Sequence, residues 1–88
     1  MLNSEIVFSQ LLKVDKPFAV DATSGNFVIS RSFRHKLISL QNTLDVPESG
    51  LVDDATLALC EQLIAYEGPG ILTSPTLPAA ARRLRRSQ

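Results

Sequence analysis

Residues 37–63, with the sequence LISLQNTLDVPESGLVDDATLALCEQL, predict two amphipathic helices joined by a short loop. Before the loop, apolar residues recur at the period of one helix face, at Phe33, Leu37, Leu40 and Leu44. A second apolar set follows the loop, at Leu57, Cys60, Leu63 and Ile64. Two apolar faces joined by so short a loop must meet. The stretch therefore predicts an αα-hairpin with helices over about residues 32–45 and 53–67.

The boundary between the two helices carries breakers and a helix-start signal. Pro47 and Gly50 interrupt any continuous helix. Asp53 is placed to cap the first free amides of the second helix, and Asp54 adds negative charge at the positive end of its dipole. Because capping explains both carboxylates, they do not indicate a catalytic pair.

The residues of the hairpin also resemble the core of the peptidoglycan-binding domain 1 family. The run L-Q-x-x-L-x-V-P-x-x-G-x-x-D-x-x-T is similar to that family's pattern of a Leu-Gln helix, a loop and a helix start. The matching residues are Leu40, Gln41, Leu44, Val46, Pro47, Gly50, Leu51, Asp53 and Thr56. The resemblance extends over about residues 33–64 and implies a small three-helix bundle.

The same resemblance implies a non-catalytic module that binds cell-wall glycan or peptide in a shallow groove near the loop. The polar residues expected at that groove are Gln41, Asp45 and Asp53. Four positions depart from the family pattern: Ser49 replaces an Asp, Val52 replaces an aromatic residue, and Leu63-Ile64 replaces a terminal Phe-Gln. Since the matched positions mostly build the hairpin, they favour the fold more strongly than sugar binding.

An N-terminal helix is predicted over residues 3–13, NSEIVFSQLLK. Its apolar side is wide for its length, and a helix this short is marginal in isolation. It must therefore pack either on the αα-hairpin or on another copy of the chain. The apolar residues expected to contact a partner are Ile6, Phe8 and Leu12.

Between this helix and the αα-hairpin, residues 18–30 predict a short β-hairpin. The turn-forming residues 23–26, TSGN, separate two β-prone runs, FAV and FVI. An irregular loop that covers one end of the bundle is the alternative interpretation. Because a two-stranded hairpin is marginal in water, its apolar face is expected to dock on the helices.

The C-terminal residues 69–88 predict a mostly disordered basic tail after a single domain of residues 1–68. The segment holds three of the five prolines and shows no clear periodicity. Its arginines, expected to contact a partner, are Arg82, Arg83, Arg85 and Arg86. The rest of the chain has five basic and nine acidic residues, a net charge of minus four. Nucleic acid is an unlikely partner because no aromatic residues lie among the arginines.

Composition argues against catalysis, a cofactor and a metal. A lone Cys60 excludes an internal disulfide and any multi-cysteine metal site, and His35 is the single histidine. No nucleophile constellation or glycine-rich phosphate loop is present. No export signal and no apolar run of membrane-spanning length are visible. We expect a non-enzyme that is cytoplasmic or part of a larger particle.

These observations predict an α+β, mainly α fold and three functions in order of preference. The first is a protein-interaction or assembly adaptor on a peptidoglycan-binding-like scaffold, with another protein or a second copy as its partner. The alternative is a cell-wall binding module that acts within a larger complex. The weakest is nucleic-acid binding through the arginine-rich tail.

Overall fold

A computed structural model describes residues 2–86 and shows a mainly helical α+β fold. In chain order the elements are α1 (Leu2–Leu11), β1 (Phe18–Val20), β2 (Phe27–Ile29), α2 (Arg31–Leu44), α3 (Asp54–Glu67), a 3-10 helix (Pro69–Thr73) and α4 (Leu77–Arg86). The mainly helical architecture and the small β-hairpin are both confirmed. The expected number of three helices is too low, because α4 is an additional helix.

The two helices of the αα-hairpin begin and end at local signals. Ser30 caps α2, its hydroxyl accepting a hydrogen bond from the amide of Phe33 at 3.2 Å. The helix ends at Asp45, whose backbone is left-handed with φ of 59°. Asp53 caps α3 by accepting from the amide of Thr56 at 2.9 Å. These bounds agree with the predicted ones to within two residues.

The β-hairpin is antiparallel and short. Phe18 pairs with Ile29, Ala19 with Val28 and Val20 with Phe27. Directly paired residues lie on the same face of a sheet and successive residues alternate. Two of the three pairs, Phe18–Ile29 and Val20–Phe27, therefore share one apolar face.

A single apolar core joins the helices of the described chain. Its buried members are Phe8, Leu12, Phe33, Leu37, Leu40, Leu44, Cys60, Leu63, Ile71, Leu72, Leu77, Ala80, Ala81 and Leu84. The β-hairpin is fastened to this core at its base, where the ring of Phe18 meets that of Phe33 edge-on at a centroid separation of 6.3 Å. Every α-helix from α1 to α4 contributes to the core, so none is peripheral.

The end of α1 is fixed by a side chain of α2. The ammonium group of Lys36 donates to the carbonyl oxygens of Leu12 at 3.1 Å and of Lys13 at 3.5 Å. Free carbonyls at a helix C-terminus carry partial negative charge, so a cation placed there stabilises both the helix end and its position on α2.

The prediction of a mostly disordered tail is wrong for residues 69–86. Ile71 and Leu72 of the 3-10 helix are buried, and α4 buries four residues at the spacing of a helix face. Two of those four are alanines, which give a weak apolar signal. The arginines that follow them hide the helical periodicity of the buried residues in the sequence. Residues 87 and 88, the end of the predicted tail, lie outside the described part of the chain.

Two arginines tie α4 to the ends of the αα-hairpin helices. Arg83 forms an ion pair with Glu67 at the end of α3, at 3.1 Å. Arg85 donates to the carbonyl oxygen of Leu44 at the end of α2, at 3.3 Å. Because they lie on opposite flanks of α4, these contacts orient the helix across both neighbours.

Replacing Leu84 by alanine tests whether α4 belongs to the core. Removing a buried leucine side chain is expected to lower the free energy of unfolding by about 2–4 kcal/mol. Arg82→Ala, two residues earlier on the exposed side of the same helix, is expected to change it by less than about 0.5 kcal/mol. Urea denaturation followed by circular dichroism measures both. Equal, small effects would show that α4 does not pack as described.

Candidate functional site

A buried polar cluster lies where α2, the loop of residues 45–53 and α3 meet. The amide nitrogen of Gln41 donates to the hydroxyl of Ser49 at 3.1 Å, to the carbonyl of Leu51 at 2.8 Å and to the hydroxyl of Thr56 at 2.9 Å. Its amide oxygen accepts from the backbone N–H of Gly50 at 2.9 Å. Gln41 is completely buried. It therefore holds the loop to both helices and is not available to a ligand, contrary to the sequence-based expectation.

Gly50 is required at its place in this cluster for two reasons. Its φ of 71° lies in the left-handed region, which disfavours residues with a Cβ. A Cβ at this position would also stand 3.1 Å from Cγ of Arg34, which is closer than ordinary contact. The tight backbone turn lets the Gly50 N–H reach Gln41.

Asp53 belongs to the same cluster, while Asp45 does not. Hydrogen bonds with Thr56, and then with the hydroxyl of Ser49, hold the pKa of the Asp53 carboxyl below its ordinary value. The Ser49 hydroxyl lies 2.7 Å from the Asp53 carboxylate. Asp45 is exposed at the end of α2. Of the three residues expected at the ligand groove, Gln41 is buried, Asp53 caps α3 and Asp45 is exposed.

Replacing Gln41 by alanine tests the clamp. The change is expected to lower the free energy of unfolding by about 3 kcal/mol, because it leaves buried polar partners without hydrogen bonds and opens a cavity. Asn42→Ala removes the neighbouring exposed amide and is expected to cost less than about 0.5 kcal/mol. Urea denaturation compares the two. A Gln41→Ala protein as stable as wild type would refute the structural role of this amide.

The apolar residues predicted as partner contacts on α1 divide into two groups. Phe8 and Leu12 are buried in the core, so they are packing residues and cannot meet a partner. Ile6 is exposed, and so is its neighbour Val7. The apolar side of α1 is wide because one part of it is buried in the core and another part stays exposed.

The four arginines of α4 also differ from one another. Arg82 and Arg86 are exposed on the side of α4 that faces away from the core. Arg83 and Arg85 make the contacts with Glu67 and the end of α2 described above. All four remain on the surface, because the core side of α4 is formed by leucine and alanine.

Metal-ligating side chains are not grouped anywhere among residues 2–86. Within that range no group of three or more His, Cys, Asp or Glu side chains is placed to hold a metal ion. Cys60 is fully buried. Burial, with a smaller effect from Glu61, raises the pKa of its thiol to about 12, so it stays protonated near neutral pH and is a poor nucleophile.

The end of the β-hairpin presents an apolar surface that the sequence-based analysis missed. Val20 is 60% exposed and its pairing partner Phe27 is 69% exposed, and Val28 on the other face is also exposed. The whole apolar face was expected to dock on the helices, but the three-residue strands bring only the Phe18–Ile29 pair to the core. The sequence signal for the exposed pair is the alternation of side chains along each strand, which places Val20 and Phe27 on the same face as Phe18 and Ile29 but farther from the helices.

The hairpin end is held in shape by its own turn. The N–H of Asp21 donates to the carbonyl of Asn26 at 2.8 Å, and the N–H of Gly25 donates to the carbonyl of Asp21 at 2.7 Å. The Asp21 carboxylate accepts from the amide of Thr23 and the hydroxyl of Ser24, which lowers its pKa. The apolar pair next to this turn is thus presented on an ordered backbone.

Comparisons with protein-family profiles, with curated proteins and with solved structures find no match for this chain. Among residues 2–86, the helices all lack the length and apolar character needed to cross a bilayer.

Proposed function

We propose that the protein is a non-catalytic adaptor that contacts another protein, or a second copy of itself, through the end of its β-hairpin. The observation that carries this proposal is the exposure of Val20 and Phe27 as a directly opposed pair. Adjacent large apolar side chains exposed to water are typical of interaction surfaces. In this proposal the αα-hairpin is a peptidoglycan-binding-like scaffold that supports the hairpin.

The anchoring of the β-hairpin favours a role in recognition. Its base is fixed by the Phe18–Phe33 ring contact and by the N–H of Ser30, which donates to the carbonyl of Pro17 at 2.7 Å. Its far end is ordered by the Asp21 turn. A surface that is already ordered loses little conformational entropy when it binds.

The energetics of the hairpin end also favour a protein partner. Burying a side chain as large as Phe27 or Val20 contributes about 1.5–3 kcal/mol before the costs of association. In the two-stranded sheet, each strand also keeps one edge that is not paired with the other strand. An extended segment of a partner can add to such an edge while its side chains cover the apolar pair.

Site-specific crosslinking tests this proposal. A benzoyl-phenylalanine placed at Phe27 is expected, on irradiation in the native cells, to give one dominant crosslinked protein that mass spectrometry identifies. The same group at His35, which is exposed on α2, is the matched control and should not give that product. The added change Val20→Ser is expected to weaken the crosslink by removing half of the apolar pair.

Two results would contradict the adaptor proposal. One is the absence of any crosslinked protein at position 27. The other is a product that forms equally at position 35 or that persists unchanged with Val20→Ser. Light scattering on the purified chain then assigns the partner, since a homodimer that Val20→Ser disrupts identifies a second copy.

Cell-wall binding is the second candidate function. The observation that favours it is the buried cluster of Gln41, Gly50 and Thr56, because all three are among the residues that match the family pattern. Of the residues expected to meet glycan, Asp45 is exposed. Co-sedimentation with purified sacculi tests it: binding that Asp45→Ala weakens supports this function, and sedimentation no greater than that of an unrelated protein of similar size argues against it.

A further inference from the structure

We propose that the groove between α3 and α4 is a second docking site, which accepts an acidic segment of a partner protein that also carries large apolar side chains. The groove has a volume of about 340 Å³. Its lining residues are Leu63, Tyr66, Glu67, Ala80, Arg83 and Leu84. This surface is separate from the β-hairpin, so the inference extends the adaptor proposal and does not depend on it.

The floor of the groove is apolar and one wall is an exposed aromatic ring. Leu63, Ala80 and Leu84 are buried core residues whose outer atoms form the floor. Tyr66 is 79% exposed beside them, on the side of α3 that faces solvent. A tyrosine beside an apolar cleft offers a large ring and a hydroxyl to an incoming side chain at low entropic cost.

The rim of the groove determines the charge of the occupant. Arg83 stands on the rim and pairs with Glu67, with side chains that are 60% and 39% exposed respectively. An ion pair so accessible to water is weak, so a carboxylate of a partner can exchange with Glu67. Arg82 and Arg86 lie on the outer side of the same helix, and α4 contains no acidic residue. This side of the groove therefore complements a negatively charged segment.

The distribution of charge over the chain favours a short acidic protein segment over a nucleic acid. Outside its four α4 arginines the chain carries a net charge of minus four. A long polyanion would meet that repulsion over many residues, whereas a short segment in the groove meets the α4 arginines and one lining carboxylate, Glu67, which Arg83 already neutralises. Tyr66 is the single aromatic residue of the groove, which is too few for a base-stacking surface. The apolar floor is suited to leucine, phenylalanine or methionine side chains.

Selection from a displayed library of random short peptides, with the full chain as bait, tests this proposal. The enriched peptides are expected to combine Asp or Glu with large apolar residues. Synthetic fluorescein-labelled versions then give affinities by fluorescence polarisation. Tyr66→Ala and Arg83→Ala are each expected to weaken binding about fivefold or more, and binding is expected to fall as salt is raised.

Two control variants separate this site from the rest of the chain. Arg31→Ala removes the same charge from the exposed start of α2, and Phe27→Ser alters the β-hairpin end. Neither is expected to change the affinity of the selected peptides. Loss of binding with Phe27→Ser but not with Tyr66→Ala would overturn the groove proposal and leave the hairpin proposal intact.

Other outcomes also overturn the inference. They are the absence of enriched peptides, an enriched set without acidic residues, and equal binding to wild type and Arg83→Ala. Displacement of the peptides by a single-stranded oligonucleotide at physiological salt would show that α4 binds nucleic acid instead. Circular dichroism verifies that Tyr66→Ala and Arg83→Ala, both changes of exposed side chains, retain the fold.

Discussion

The structure depends on one buried amide, that of Gln41, which joins two helices and the loop between them. Without it, the backbone N–H of Gly50 and the hydroxyl of Thr56 would be buried polar groups without these partners. Because those groups belong to the loop and to the start of α3, the amide fixes where α3 begins relative to α2. The direction of α3 in turn determines the surface on which α4 packs.

The other helices complete a core that the αα-hairpin cannot close alone. A chain of this length buries a modest fraction of its surface, so the core needs apolar residues from all four α-helices. Phe8 and Leu12 of α1 and Leu77 and Leu84 of α4 belong to the same core cluster as the buried residues of α2 and α3. The charged contacts of Lys36 and Arg85 with helix-terminal carbonyls then fix these outer helices in register.

Two of the surfaces that remain after the core is closed are the ones that we propose contact partners. The apolar hairpin end stays exposed because only the base of the hairpin, at Phe18 and Ile29, reaches the core. The α3–α4 groove is apolar at its floor and basic on one side because α4 presents leucine and alanine inward and arginine outward. The polar side chains of the buried cluster, in contrast, are occupied with one another.

Local patterns in the sequence by themselves determined the αα-hairpin, its cap at Asp53, and the β-hairpin turn. These features depend on neighbours within a few residues, so periodicity and capping chemistry reveal them. Only the tertiary structure decided that α4 is part of the core, that Phe8 is a packing residue and that Gln41 is a clamp. Each of those outcomes depends on groups distant in sequence, such as Gln41 with Thr56 or Arg85 with Leu44, whose proximity no local pattern encodes. The exposed pair at the hairpin end is likewise a tertiary result, because the position of the helices decides which part of an apolar strand face is covered.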